Sequence, residues 1–366
     1  MQSVEPDEPC MRIFYLTSST NISGGSRQAL YLAQGMQARG HEVSFFMQPH
    51  GTLKNLVKPD EAGVAWHDLP ESPLAWKATL ERAMRPGAPL VVHAFHNKAV
   101  KMAALFGTLW RMTGRPVVCV AHRGVIYPPR NPLPYLLPGI RCFAVNSQAC
   151  LDTLPLFWRK NAGRVVPNGI PDSKVTPARS VAEVRASLAL PEGATVIGSV
   201  GNNEPVKGMD PLIRAFARLA PENRFLVLVG LREEKWMPLC HELGIESRVR
   251  IVAKTENVAD YLRSYSLFVL PSLMESSPNT LLEALRMGLP AVASRVGGVP
   301  ECLDDDRLLA EPGNVDDLAA KMALALDTPG LLATAAEKNA LRGREYALER
   351  RIENMEALYS SLLASL

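Results

Sequence analysis

Glu275-Ser276-Ser277-Pro278-Asn279-Thr280-Leu281-Leu282-Glu283 sets two carboxylates around a Pro-Asn-Thr turn, and apolar residues at helical spacing (Leu281, Leu282, Ala284, Leu285) follow. Pro278 suits the position just before or at the first helical turn, where its missing N–H costs nothing. The backbone N–H groups of Asn279, Thr280 and Leu281 then face out of a helix N-terminus. Unpaired donors and the helix dipole both favour a phosphate at that end. Glu283 lies one turn further in, and its carboxylate can accept the two hydroxyl hydrogen bonds of a ribose diol. Glu275 stands ahead of the turn, near whatever projects beyond the phosphates. The expected ligand is a nucleotide diphosphate bound end-on, with a sugar at its far end. Taken alone, the glutamate pair also fits a loop with two solvated carboxylates before an ordinary amphipathic helix.

Downstream the chain continues Glu283-Ala284-Leu285-Arg286-Met287-Gly288-Leu289-Pro290-Ala291-Val292-Ala293-Ser294, then Gly297, Gly298, Pro300 and Glu301. In that order these residues resemble the retaining glycosyltransferases of family 4. The family signature is a Glu, seven residues, a Glu, a small-residue helix, a Gly-x-Pro-Val strand and Gly-Gly-x-x-Glu. The resemblance implies the GT-B fold: α/β, two Rossmann-like doubly wound domains facing across a cleft.

Length and composition agree with two domains. The chain has 366 residues, too many for one ordinary core. Its 47% hydrophobic and 21% charged residues are a globular composition. A net charge of +3 leaves no nucleic-acid footprint. Six scattered cysteines without a Cys-x-x-Cys pair read as thiols of a reducing compartment. Residues 1–10 are acidic and Pro-bearing, unlike a signal peptide, and are expected to form a disordered tail. No apolar run approaches the ~18 residues of a membrane span. The expected location is cytoplasmic, with peripheral contact at the inner membrane face.

The apolar run Arg12–Leu16, a small-residue loop through Gly24-Gly25-Ser26, an apolar helix (Ala29, Leu30, Leu32, Ala33, Met36) and Val43–Phe46 spell β–loop–α–β, the first unit of a doubly wound sheet. Further strands are predicted at 90–94, 117–121, 142–146 and 164–167, with helices at 75–85, 99–113 and 147–160. After the turn cluster Val166-Pro167-Asn168-Gly169-Ile170-Pro171 the pattern restarts. Strands are predicted at 196–200, 225–229, 249–252, 267–270 and 291–293, and helices at 211–219, 235–243, 257–264 and 280–287. The domains read as 1–10 tail, 11–170 N-terminal acceptor-side domain, 171–343 C-terminal nucleotide-sugar domain, and 344–366, a helix that in the resembled fold crosses back to the first domain.

Gly201-Asn202-Asn203-Glu204-Pro205-Val206-Lys207-Gly208 lies between a strand and a helix. Glycine lets backbone approach a ligand, and Lys207 offers a mobile point charge. This resembles the family's Gly-Arg-x-x-x-x-Lys-Gly element, whose Arg and Lys neutralise the diphosphate. Asn202 stands where the family has Arg, so the diphosphate leans on Lys207, the helix end near Thr280 and a further cation such as Arg232. A surface lysine on a strand–turn–helix is the plain alternative. The resemblance also puts Gly24 and Gly25 near donor phosphates and acceptor, and Lys254 with Ala253 near the base. His122 ends a buried run at the carboxyl edge of the sheet, where such folds bind ligands. The family's histidine there implies a hydrogen bond to a sugar hydroxyl, against the alternative of a satisfied structural histidine.

His93 and His96, three apart with no third ligand, make a poor metal site. His93 matches the first member of a family His-x-His pair and reads as structural. His96, Arg123, Tyr127 and Arg130 are assigned to the acceptor side. The Pro-rich segment 127–138 reads as a surface loop, fitting either a lipid-linked acceptor or a rigid connector. Asp304-Asp305-Asp306 is set aside as a metal motif because the resembled fold needs no metal for its leaving group. No cofactor is expected beyond a UDP- or GDP-sugar co-substrate. The reading is a retaining, metal-independent hexosyltransferase acting on a glycan or lipid-linked acceptor in cell-envelope polysaccharide or lipopolysaccharide synthesis. Its expected catalytic residues are His122, Glu275 and Lys207, with front-face attack assisted by the leaving phosphate. A non-catalytic nucleotide-sugar or glycan-binding subunit, or an epimerase on the same fold, is the alternative.

Overall fold

The structure, a computed structural model, describes residues 10–50, 52–53, 64–156, 159–219 and 223–366. Apart from Cys10, the tail expected at 1–10 lies outside them. The chain forms two compact units, one of residues up to Gly169 with Glu349–Leu366, the other Ile170–Leu348.

The first unit carries strands β1 (Arg12–Thr17), β2 (Glu42–Met47), β3 (Ala65–Asp68), β4 (Leu90–Phe95), β5 (Val117–Arg123), β6 (Ile140–Val145) and β7 (Gly163–Val165). Its helices are α1 (Gly24–Ala38), α2 (Trp76–Ala83), α3 (Asn97–Met112), α4 (Leu133–Leu136) and α5 (Gln148–Asp152). The sheet is parallel in the order β3-β2-β1-β4-β5-β6-β7. β1 and β4 are buried at every position, as a strand covered on both faces requires. Phe14, Leu16, Val92 and Ala94 feed the core under α3, and the alternate residues Tyr15 and His93 pair in register on the opposite face.

The second unit carries β8 (Thr195–Val200), β9 (Arg224–Val229), β10 (Val249–Val252), β11 (Leu267–Leu270), β12 (Ala291–Ser294) and β13 (Leu309–Ala310), parallel in the order β10-β9-β8-β11-β12-β13. Its helices are α6 (Val181–Ser187), α7 (Met209–Ala217), α8 (Glu233–Glu242), α9 (Val258–Leu262), α10 (Asn279–Arg286), α11 (Val315–Asp327) and α12 (Leu331–Arg344). Along β9, Leu226 and Leu228 face one core and Val227 and Val229 the other. The period of two thus splits one apolar run between two helical layers.

The last helix, α13 (Leu348–Leu363), starts later than the expected 344. Ile170 bridges Ala347, and its N–H and carbonyl bond Tyr346 and Leu348 at 2.8 and 3.1 Å, so the backbone is extended there. The helix expected at 147–160 stops after Asp152, because Pro155 disfavours helix at the residue before it and removes an N–H. Strands β3 and β13 and helices α11 and α12 were not anticipated. Among the described residues no helix is long and apolar enough to cross a membrane.

In both sheets the strand order reverses, at β1/β4 and at β8/β11. Doubly wound folds bind ligands outside the carboxyl ends of the strands at such a point. The loops after β8 and β11 touch there through Gly208, which adopts φ +67°. A Cβ at Gly208 would overlap the Pro271 carbonyl oxygen. Gly208→Ala is therefore expected to cost about 3 kcal/mol, from left-handed strain plus a backbone clash. A lowered urea midpoint is the readout; an unchanged one shows that the close approach does not depend on glycine.

Candidate functional site

In the second unit, β8 ends at Val200 and the chain passes through Gly201 into a single 3-10 turn, Pro205–Lys207. Asn202, exposed where the resembled family has Arg, accepts the Glu204 N–H on its Oδ1 at 3.0 Å and shapes this turn. Asn203 Oδ1 accepts the Arg232 N–H and Trp236 Nε1–H, fixing the start of α8. Arg232 itself points to Glu234 at 3.8 Å, and both are exposed. From β11, Pro271 and Ser272 lead to Glu275. Lys207 Nζ donates to Glu275 Oε1 at 2.7 Å, and Ser272 Oγ donates to the same oxygen at 2.9 Å. The side chains of Lys207 and Glu275 are 29% and 12% exposed, so the pair is sheltered yet reachable.

Pro278 caps α10 with φ −77° and ψ 104°. The expectation of a free Leu281 amide is corrected: it donates to the Pro278 carbonyl at 3.0 Å, an i→i+3 bond that tightens the first turn. Asn279, Thr280 and Glu283 are half-buried around that turn, while Leu281, Leu282, Ala284 and Leu285 are its buried face. Lys254 is exposed just beyond β10. The Asp304–Asp306 run is engaged by cations: Asp305 pairs with Arg307 at 2.7 Å and Asp306 with Arg295 at 3.0 Å. No cluster of three or more potential metal ligands occurs among the described residues.

In the first unit, Ser23 and Ser26 form a capping box at the start of α1, leaving Gly24 exposed and Gly25 half-buried. A Cβ on Gly25 would sit 3.3 Å from His96 Nε2. His96 adopts φ +70° at the N-cap of α3, and its Nδ1 bonds Thr17 Oγ1 at 2.8 Å. His93 is fully buried, and its Nδ1 bonds the Tyr359 hydroxyl of α13 at 2.5 Å. His122 is buried, stacks on Phe95 at 4.6 Å, and its Nδ1 has no hydrogen-bond partner among the described residues. Burial, reinforced by Arg351, pushes both His93 and His122 well below the usual imidazole range. Both rings are therefore neutral at physiological pH.

Arg351 on α13 was not singled out from the sequence, where it reads as one charge on an amphipathic helix. It is 2% exposed and donates to Asn168 Oδ1 at 2.7 Å and to Gln28 Oε1. Burial pulls its guanidinium down to about 10. Ser272 also escaped notice; its one signal was its place as the first hydroxyl after a buried strand. Arg123 is 5% exposed, donating to the Tyr135 hydroxyl at 3.0 Å and to the Tyr127 carbonyl. It ties β5 to the Pro-rich segment on which Tyr127 and Arg130 stand exposed.

The two neutral imidazoles make stability depend on pH. In the unfolded chain they take up a proton near pH 6.5. In the folded chain they do so only at lower pH, so the unfolded state holds more protons in that window. Their stabilising effect is full above about pH 6.5 and is lost as pH falls toward the folded values. The thermal midpoint of His122→Gln is expected to change less between pH 7 and pH 5 than that of the natural chain. Parallel curves contradict a buried neutral ring.

The second half, residues 180–342, matches the family model for glycosyl transferases group 1, and residues 22–174 match that for Glycosyltransferase Family 4. A D-inositol 3-phosphate glycosyltransferase of Actinosynnema mirum is 31% identical, over 93% of this chain and 93% of that protein. An uncharacterized glycosyltransferase of Haemophilus influenzae is 30% identical over 47% of this chain. The chain spans 50% of that relative, and only 56% and 51% of two others. The fold is that of Anabaena Alr3699/HepE, solved in complex with UDP (TM-score 0.82, 20% identity, 96% of this chain and 100% of that one). With an aligned relative of this identity and coverage and family models on both halves, the chain belongs to the family 4 and group 1 glycosyltransferases, two parallel-sheet Rossmann-like domains of GT-B type.

Proposed function

We propose that the protein is a retaining glycosyltransferase that moves a sugar from a nucleotide-diphosphate sugar to a glycan or lipid-linked acceptor. The observation that carries the reading is the Lys207–Glu275 ion pair, set at the β8/β11 switch point beside the N-terminus of α10. Lys207 and the first turn at Asn279 and Thr280 bind the diphosphate. Glu283 takes the ribose hydroxyls, Glu275 the sugar hydroxyls, and exposed backbone at Ala253 and Lys254 the base. A preorganised cation at the leaving phosphate is the largest electrostatic contribution such a site offers. With Asn202 in place of Arg, that contribution falls mainly to Lys207.

His122, neutral and with an unused ring nitrogen, suits a hydrogen bond to a sugar hydroxyl in the first unit. Exposed Leu105, Leu109, Met112 and Leu133 on α3 and α4 fit a lipid-borne acceptor and peripheral contact with a membrane. The proposal includes transfer without a divalent metal, and products of the cell envelope. UDP bound by the Anabaena protein makes UDP-sugars the first donors to try.

A panel of UDP-, GDP- and ADP-sugars, scored by nucleotide released with and without chelator, tests the reading. Slow release from one donor, unchanged by chelator, with the anomeric configuration kept in the product, is the expected result. Binding without release identifies a non-catalytic subunit, and a full loss restored by Mn²⁺ contradicts metal independence.

A further inference from the structure

The cation of the proposed diphosphate site, Lys207, is already neutralised by Glu275 at 2.7 Å. A diphosphate carries more negative charge than such a pair offsets. Asn202 brings no charge, and its side chain is spent on the Glu204 N–H. Arg232, the further cation expected from the sequence, faces Glu234 at 3.8 Å.

The sheet order sets the loop after β9 between the loops after β8 and β10. The three loops touch at the carboxyl edge. The Gly201 N–H donates to the Val229 carbonyl at 3.0 Å, and the N–H groups of Gly230 and Leu231 donate to the Val252 carbonyl at 2.9 and 3.2 Å. A Cβ on Gly230, at φ +88°, would overlap the Gly201 carbonyl oxygen. The start of α8 therefore stands beside the loop that carries Lys207.

Lys235, in the first turn of α8, uses this nearness. Its Nζ donates to the Asn203 carbonyl at 2.6 Å and lies 4.9 Å from the centre of the Trp236 ring. Trp236 Nε1–H and the Arg232 N–H both donate to Asn203 Oδ1, at 3.0 and 3.1 Å. These bonds tie Asn203, the neighbour of Asn202, to α8 and fix where the ammonium sits. An ammonium has three N–H donors, and one is spent on Asn203. The indole holds the cation without cancelling its charge. Lys235 is exposed, and among the described residues no carboxylate pairs with it. Glu233 and Glu234 share its turn, so the helix end by itself is no anion site; the ammonium held on the loop is.

We infer that Lys235 is a donor-binding residue of this chain, whose ammonium joins Lys207 on the diphosphate and supplies the charge that Asn202 lacks. The inference rests on the proposed function, because the phosphates it meets are those of that donor. A lysine suits the task as a point charge on a flexible stem, able to keep its loop contact while two donors turn to phosphate oxygens.

Calorimetric titration of the full chain with UDP, GDP and ADP tests it, and the nucleotide that binds tightest is carried to the variants. Lys235→Ala is expected to weaken binding about tenfold or more, the worth of one charge-assisted hydrogen bond. Lys321→Ala, the same charge change on α11, is expected to leave it unchanged. Asn202→Arg is expected to restore most of the loss in the Lys235→Ala background and to gain less in the natural chain, because the two positions serve one charge. A merely structural role for Lys235 gives no such rescue. Lys207→Ala is measured in parallel. Loss with Lys207→Ala but none with Lys235→Ala overturns the role of Lys235 and leaves the donor site standing. Equal losses from Lys235→Ala and Lys321→Ala, or the same gain from Asn202→Arg in both backgrounds, also overturn it. No binding of any of the three nucleotides, or binding untouched by Lys207→Ala, removes the donor site and this role with it.

Discussion

Lys207→Ala is expected to lower turnover about 10²–10³-fold, the usual cost of removing one preorganised group that meets developing charge. The ammonium is held 2.7 Å from Glu275 Oε1, and Ser272 steadies the same oxygen, so the cation is fixed before any donor arrives. A diphosphate then competes with one carboxylate for a charge already in place, with little reorganisation. In the variant Ser272 Oγ still hydrogen-bonds the Glu275 carboxylate, and the thermal midpoint separates any lost stability from lost chemistry. Lys207→Arg should recover only part of the rate, since a planar fork does not replace a point charge in a turn built around it. Initial rates at saturating donor, alongside a thermal midpoint, are the measurement. A rate within a few-fold of the natural chain removes Lys207 from the chemistry.

Glu283→Ala is expected to weaken nucleotide binding about 10–100-fold, the worth of one or two hydrogen bonds to an ionised carboxylate. The residue is half-buried one turn into α10, while its neighbours Leu282 and Ala284 are fully buried. Removing the carboxylate therefore leaves the packed face intact. A 2′,3′-dideoxy nucleoside diphosphate supplies the partner deletion. It should bind the natural chain as weakly as the variant binds the ribose form, and lose little more on the variant. Equal losses from both changes, simply added, show that Glu283 and ribose do not touch.

The architecture was largely legible in the residues. Runs such as Phe225–Val229 and Leu267–Leu270 are apolar without alternation, as strands covered on both faces must be. Pro278 announced the start of α10 because its ring suits a cap and little else near a helix. β3 escaped because Ala-Trp-His-Asp has neither alternation nor an apolar run, and β13 because two residues carry no period.

The candidate site was legible only in parts. Lys207 and Glu275 each stood out within a motif, but their contact spans 68 positions and follows from β8 lying beside β11. Strand order is a long-range property that no local pattern encodes. Arg351 was hidden for a related reason. Its helix is amphipathic and charged, and nothing in its neighbours says that this one guanidinium turns inward to Gln28 and Asn168. The first-turn amides were read from an ideal helix; the i→i+3 bond from Leu281 to Pro278 removes one of them.

A crystal structure of the full chain with a nucleoside diphosphate examines the donor site most directly. Phosphates within hydrogen-bond reach of Lys207 Nζ and the first turn of α10, with both ribose hydroxyls on Glu283, are expected. A diphosphate lodged elsewhere, with Lys207 still closed on Glu275, contradicts the assignment.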